Sequence, residues 1–160
     1  MVLEISSRAL DAIMHEASRD PAREVCGLLL GRGSSVTVVV PCRNVAADPA
    51  RRFEIDPAAL IAAHRAARDG GPAVIGHYHS HPGGAAAPSS ADTAMAAQDG
   101  AIWLILGAGE IAAWRAQLVP GQAAVMVPIA IATRADSCTS VMASPEGRNP
   151  FCDEDRLSLP

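Results

Sequence analysis

Apolar and polar positions along the chain mark out a series of short elements. Residues 2–5 are a brief apolar stretch that predicts a strand. Leu10, Ile13, Met14 and Ala17 then recur at helical spacing. They predict a helix from Ser6 or Ser7 to about Ser18, stopped by Pro21. Residues 24–31, EVCGLLLG, read as a mostly buried strand, RGSS as a hairpin turn and VTVVVP as the partner strand. A polar loop over 42–52 precedes RFEI, which reads as a short strand. Asp56-Pro57 opens a second helix, because Asp caps and Pro suits the first helical turn. It runs to about Arg68 and ends at Gly70-Gly71. Residues 73–80, AVIGHYHS, predict another strand, 82–88 a loop, and a third helix starts near Ser89 or Ser90. AIWLILG, EIAAWRAQL and AVMVPIAIAT read as three successive strands, antiparallel because their connections are short. Beyond Thr133 the periodicity is lost. The pattern therefore divides the chain into a domain over 1–133 and a polar, acidic, mobile tail over 134–160. A partner-binding or autoinhibitory role is the tail's alternative reading.

Composition narrows the function classes. A chain of 160 residues that is 49% hydrophobic can bury the core of one domain, and with only 3% aromatic residues that core is aliphatic. The net charge is −4, and all 13 basic residues are arginines with no basic run, which argues against a nucleic-acid binder. The first twenty residues hold no apolar signal core, and no apolar run reaches the length of a membrane span. The expected location is the cytoplasm, with reduced thiols. Cys26, Cys42, Cys138 and Cys152 contain no C-x-x-C pair, which disfavours a cysteine zinc knuckle. Cys26 and Cys42 read as ordinary buried thiols. A bridge between Cys138 and Cys152, in the tail, stays open.

The chemistry concentrates in residues 76–92, GHYHSHPGGAAAPSSAD, which carry three of the five histidines. On a strand, residues two apart share a face, so His79 and His81 present their imidazoles side by side. Two histidines leave a zinc site one protein ligand short. Asp92 supplies it from the first turn of the next helix if the loop 82–88 folds back. Three protein ligands leave a fourth position for water, as catalytic zinc requires. His77 shares the strand face and is open to three readings: a competing ligand, a group behind the ligands, or a pocket wall. Ser89-x-x-Asp92 also reads as a helix capping box with Asp in place of the usual Glu. At this chain's residue frequencies the spacing H-x-H-x7-S-x2-D arises by chance on the order of once per thousand such sequences. His15 and His64, in predicted helices away from the motif, read as surface or packing residues.

His79-Ser80-His81-Pro82, with Pro88-Ser89 and Asp92, resembles the JAMM motif of the MPN-plus zinc metallopeptidases, H-[ST]-H-x7-S-x2-D with a glutamate upstream on a strand. EVCGLLLG looks like that upstream segment, which makes Glu24 the matching acid. RRFEIDP and GHYHSHP also look like segments of short, stand-alone prokaryotic members. The similarity spans roughly residues 1–130.

The resemblance implies a mixed α/β fold, a curved mixed sheet flanked by helices, with one Zn2+ per chain. It also implies hydrolysis of a peptide or isopeptide bond, after the C-terminal Gly-Gly of a ubiquitin-like or sulfur-carrier protein. Zinc lowers the pKa of its water toward ~7 and polarises the scissile carbonyl. A base must take the proton and return it to the leaving amine. No H-E-x-x-H occurs, so that acid comes from elsewhere in the chain. Glu24 is assigned to it, its alternative being a plain surface strand end. The Ser89 hydroxyl is assigned to the oxyanion beside the zinc. Against this stand a non-catalytic MPN-type scaffold, whose members typically lack the ligand set, and a nucleoside deaminase. The latter needs H-x-E with P-C-x-x-C, and neither occurs.

Overall fold

The computed structural model describes residues 1–96, 100–117, 125–134 and 140–141. Strand β1 (Val2–Ser6) leads into helix α1 (Ser7–Arg19). A hairpin follows, β2 (Cys26–Arg32) and β3 (Ser35–Cys42). Helix α2 (Pro57–Arg68) precedes β4 (Ala73–His81), and the short helix α3 (Ser90–Met95) precedes β5 (Ile102–Gly107). Then come β6 (Glu110–Gln117), β7 (Val125–Arg134) and the two-residue β8 (Ser140–Val141).

Local chemistry sets the helix starts. The Ser6 hydroxyl accepts from the Ala9 amide at 3.1 Å. The Asp56 carboxylate accepts from Ala58 at 2.9 Å, with Pro57 filling the first helical position. Each cap satisfies one of the amides a helix leaves orphaned at its start.

All eight strands join one mixed sheet in the order β1-β7-β6-β5-β4-β2-β3-β8, and β1 also pairs with β3. The sheet therefore curls until its ends meet. At that seam Arg134 of β7 forms an ion pair with Glu4 of β1 at 3.0 Å and donates to the Ser35 hydroxyl of β3 at 2.6 Å. Strands β5, β6 and β7 are antiparallel in succession, as expected, while β4 and β5 run parallel.

The two faces of the sheet have different contents. Leu3, Ile5, Leu29, Tyr78, Ile102 and Leu104 fill one face, packed against Ala9 and Ile13 of α1. The other face carries Cys26, Leu28, Trp103 and Ile105, with Phe53 and the Ala59 and Ala63 side of α2 against it. Register places the histidines on this second face, because Cys26 lies opposite His79 and Leu28 opposite His77. A bulge at Ile75 shifts the alternation within β4, so that Leu29 pairs with Gly76 and Leu30 with Val74.

Three expectations are adjusted. RFEI is not a strand: only Ile55 forms an isolated bridge, to Asn44. The Val45 amide donates to the Glu54 carbonyl at 2.8 Å and the Asp56 amide to the Arg43 carbonyl at 3.1 Å, and the Asn44 side chain adds bonds to Arg52 and Glu54. Strand β2 begins at Cys26, so Glu24 lies two residues ahead of it. Ser140 and Val141, within the predicted tail, pair in parallel with Val38 and Val39 of β3. Arg134, the first residue of the predicted tail, ends β7, and the rest of the tail, with Cys138 and Cys152, lies outside the described residues. No helix among the described residues is long and apolar enough to cross a membrane.

Candidate metal centre

His79 and His81 reach the site because β4 is extended beyond its bulge, so that His77, His79 and His81 face one way. Asp92 reaches it because the loop after His81 turns back at Pro82-Gly83, with Gly83 at φ 66°. The Trp114 indole donates to the Ala86 carbonyl at 3.2 Å and fastens that loop over β6. Gly107 makes room for it. A Cβ there would lie 2.4 Å from both the Ala85 carbonyl carbon and the Gly84 oxygen.

The donor atoms meet closely. His79 Nε2 lies 3.0 Å from His81 Nε2 and 3.3 Å from Asp92 Oδ1, and His81 Nε2 lies 3.2 Å from Asp92 Oδ2. A tetrahedral ion with bonds of about 2.0–2.1 Å has ligand–ligand edges of about 3.3–3.4 Å. The contact between the imidazoles and that of each imidazole with its nearer Asp92 oxygen are close to this spacing, and the group His79, His81 and Asp92, with one donor atom of each within 4.8 Å of the others, can hold a metal ion. The His81 Nδ1 lies 3.0 Å from the Ala85 carbonyl. An Nδ1–H donated there leaves Nε2 unprotonated and free to ligate.

Asp92 sits in a complete capping box. Its amide donates to the Ser89 hydroxyl at 3.1 Å, and its Oδ2 accepts from both the Ser89 amide and the Ser89 hydroxyl at 2.7 Å. The capping reading of Ser89-x-x-Asp92 is thus present in full. The one hydroxyl proton of Ser89 points at Asp92, holding the carboxylate rather than standing free.

The electrostatics keep the carboxylate ionised between the two imidazoles. Burial alone would raise the Asp92 pKa, but hydrogen bonds to His79 and His81 overturn it and hold the carboxyl well below its usual range. Burial pushes His79 down toward the neutral, ligating form. The hydrogen bond to Asp92 pushes His81 up. Three donors converge on one point, and two imidazoles share one carboxylate.

Glu24 stands beside this group. The antiparallel register, extended from Cys26 opposite His79, sets Glu24 across from His81. Its side chain is buried, and burial raises its pKa to about 7, with His81 opposing and Asp92 adding to the rise. An acid titrating near neutrality can both take and return a proton at physiological pH.

His77 does not join the donors. Its ring lies 6.4 Å from that of His79 and meets Trp103 edge-on at 4.1 Å. Burial lowers its pKa to about 3, so it is neutral. It lines a groove of about 550 Å³ with Leu28, Leu60, His64 and Trp103, a groove that His79, His81 and Asp92 do not line. His15 and His64 are exposed on their helices. Cys26 and Cys42 are buried free thiols, pushed up by burial to about 12 and about 11.

Phe53 was not legible as a site residue. Its ring stacks on His79, centroids 4.3 Å apart and planes 16° from parallel. A lone aromatic in a polar segment was the available signal.

The family model for prokaryotic homologs of the JAB domain matches residues 6–117. The chain is 36% identical over 109 residues to a desampylase of Haloferax volcanii, covering 64% of this chain and 78% of that one. It is 35% identical over 92 residues to a probable TtuB-protein conjugate cleaving protease of Thermus thermophilus, covering 58% and 62%. A solution structure of a Desulfitobacterium hafniense protein superposes with a TM-score of 0.67 at 24% identity, over 85% of this chain and 96% of that one.

Proposed function

The chain belongs to the family of prokaryotic homologs of the JAB domain, and on that premise we propose that it is a cytoplasmic zinc-dependent isopeptidase. Its substrate is a ubiquitin-like or sulfur-carrier protein, cut after a C-terminal Gly-Gly. The observation that carries the reading is the triangle of His79, His81 and Asp92 with the Glu24 carboxyl beside it. The names of the relatives, a desampylase and a conjugate cleaving protease, support the substrate class.

One zinc per chain, held by His79, His81 and Asp92, would supply an acidified water and a Lewis acid for the scissile carbonyl. Glu24 takes the proton of the attacking water and returns it to the leaving amine. Ser89 holds Asp92 in the resting site. Its hydroxyl serves the oxyanion by rotating away from Oδ2 once the substrate carbonyl arrives. His77, neutral and packed edge-on against Trp103, stands behind His79.

The test is elemental analysis of wild type and His79→Ala side by side, followed by a cleavage screen against Gly-Gly-ended carriers extended at the C-terminus. About one zinc per chain, lost in the variant, with cleavage after Gly-Gly abolished by Glu24→Gln, is the expected result. No zinc in wild type after resupply overturns the reading and leaves a scaffold.

A further inference from the structure

We propose that Asn44 is a positioning residue that fixes the backbone of Glu24 and ties it to the segment covering His79. The inference rests on Glu24 acting as the general acid/base.

Glu24 precedes β2 and so lies outside the sheet ladder. Something else must hold it. Its amide donates to the Pro49 carbonyl at 2.7 Å, and its carbonyl accepts from Asn44 Nδ2 at 2.8 Å. On the other side Ser80, between the two histidines, grips Val25. Its hydroxyl accepts from the Val25 amide at 2.9 Å and its amide donates to the Val25 carbonyl at 3.0 Å.

Asn44 makes four hydrogen bonds, all to backbone. Besides Glu24, Nδ2 donates to the Arg52 carbonyl at 3.0 Å, and Oδ1 accepts from the Ala46 and Glu54 amides, both at 3.0 Å. Two donors and two accepted bonds exhaust the side chain's ordinary capacity. Three of the four close the loop 44–54 on itself, and the fourth crosses to Glu24. The same loop supplies Pro49 to the Glu24 amide and Phe53 to the His79 ring. One amide side chain therefore sets the acid and the wall of a ligand relative to each other. No isosteric residue supplies both bond types. Asp keeps the two accepted bonds but turns a second oxygen toward the Glu24 and Arg52 carbonyls.

The experiment compares wild type, Asn44→Asp, Asn44→Ala and Glu24→Gln, each zinc-loaded, on the carrier fusion that wild type cleaves. Amide hydrogen exchange at Glu24 is read by NMR on the same proteins. Asn44 is half-buried, so water can replace its bonds in Asn44→Ala and that variant folds even where Asp does not. The expected result is a kcat lower by about 10–100-fold, the scale of a small misplacement of a reacting group. KM and zinc content stay at wild-type values, and exchange at the Glu24 amide is faster. Wild-type kcat, a loss confined to KM or zinc content, or unchanged Glu24 exchange overturns the inference. Full activity in Glu24→Gln instead removes the acid/base reading on which it rests, so the two failures are distinguishable.

Discussion

The phenyl ring of Phe53 lies flat against the imidazole of His79, 4.3 Å between centroids. Trp103 meets the same imidazole edge-on at 5.9 Å. The two aromatic rings fix the imidazole plane, so that Nε2 faces His81 and Asp92 without searching for its orientation. Phe53→Ala should cost about 3 kcal/mol of stability, as for a buried aromatic cut to a methyl. It should also weaken zinc binding about tenfold, because the ring then rotates freely. Denaturant melts and chelator competition read the two effects. Phe53→Leu, which refills the volume without the flat face, should recover most of the stability and little of the affinity.

The grouping of His79, His81 and Asp92 was readable because strand periodicity alone aligns His79 with His81, and a helix start at Ser89 brings Asp92 round. The helices and the strands other than β8 were readable for the same reason, since each has its own period or cap, whereas β8 lies in what read as a tail. Phe53 and Asn44 were not. Both act through a loop whose path depends on side-chain-to-backbone bonds with no period. RFEI looked like a strand because its residues have strand propensity, yet Asn44 takes the Glu54 amide that a ladder partner would have used. The curl that joins β1 to β3 depends on Glu4, Ser35 and Arg134, far apart in the chain, and no local pattern announces it.

Ser89 has two tasks that one variant can separate. Ser89→Ala removes the cap and should cost about 1 kcal/mol. It also frees the Asp92 carboxylate, which should weaken zinc binding by about tenfold. If the hydroxyl in addition serves the oxyanion, kcat at saturating zinc should fall by a further 10²-fold or so. A kcat fully restored by excess zinc would confine Ser89 to holding Asp92.

Gly107, the register partner of His81 on the neighbouring strand, controls the loop that holds it. A methyl there would collide with the backbone of Gly84 and Ala85, which the loop can relieve only by lifting away. Lifting it breaks the contact between His81 Nδ1 and the Ala85 carbonyl. Gly107→Ala should therefore destabilise by about 1–3 kcal/mol and lower zinc affinity, while the Tyr78 face of the sheet stays intact. Unchanged metal affinity in a destabilised Gly107→Ala protein would sever this link.

On the opposite face the Tyr78 hydroxyl donates to Glu16 Oε2 at 2.6 Å. Burial raises the Glu16 pKa, and this bond works against the rise. Tyr78→Phe should cost about 1.5–3 kcal/mol near neutral pH, where a charged carboxylate loses its donor. The deficit should shrink as the pH falls and Glu16 takes up a proton. Melts of both proteins across pH 4 to 8 test this, and a deficit independent of pH would show that the bond does not read the charge of Glu16.

Glu24 should weaken the metal-free fold that carries it. Burial raises its pKa from 4.5 to about 7. Between those values the folded chain binds more protons than the unfolded one, so stability falls as the pH rises. The contribution is complete below about pH 4.5 and lost above about pH 7. Glutamine cannot ionise. Metal-free Glu24→Gln should therefore lose this part of the pH slope and exceed wild type above pH 7 by about 2 kcal/mol. Zinc brings positive charge to the same place and favours the carboxylate. Adding it to wild type should flatten the slope, while the variant, with no carboxylate to rescue, should respond through metal binding alone. Identical pH slopes in the two metal-free proteins would mean that the Glu24 carboxyl does not titrate in this window, and the account of its burial would have to be abandoned.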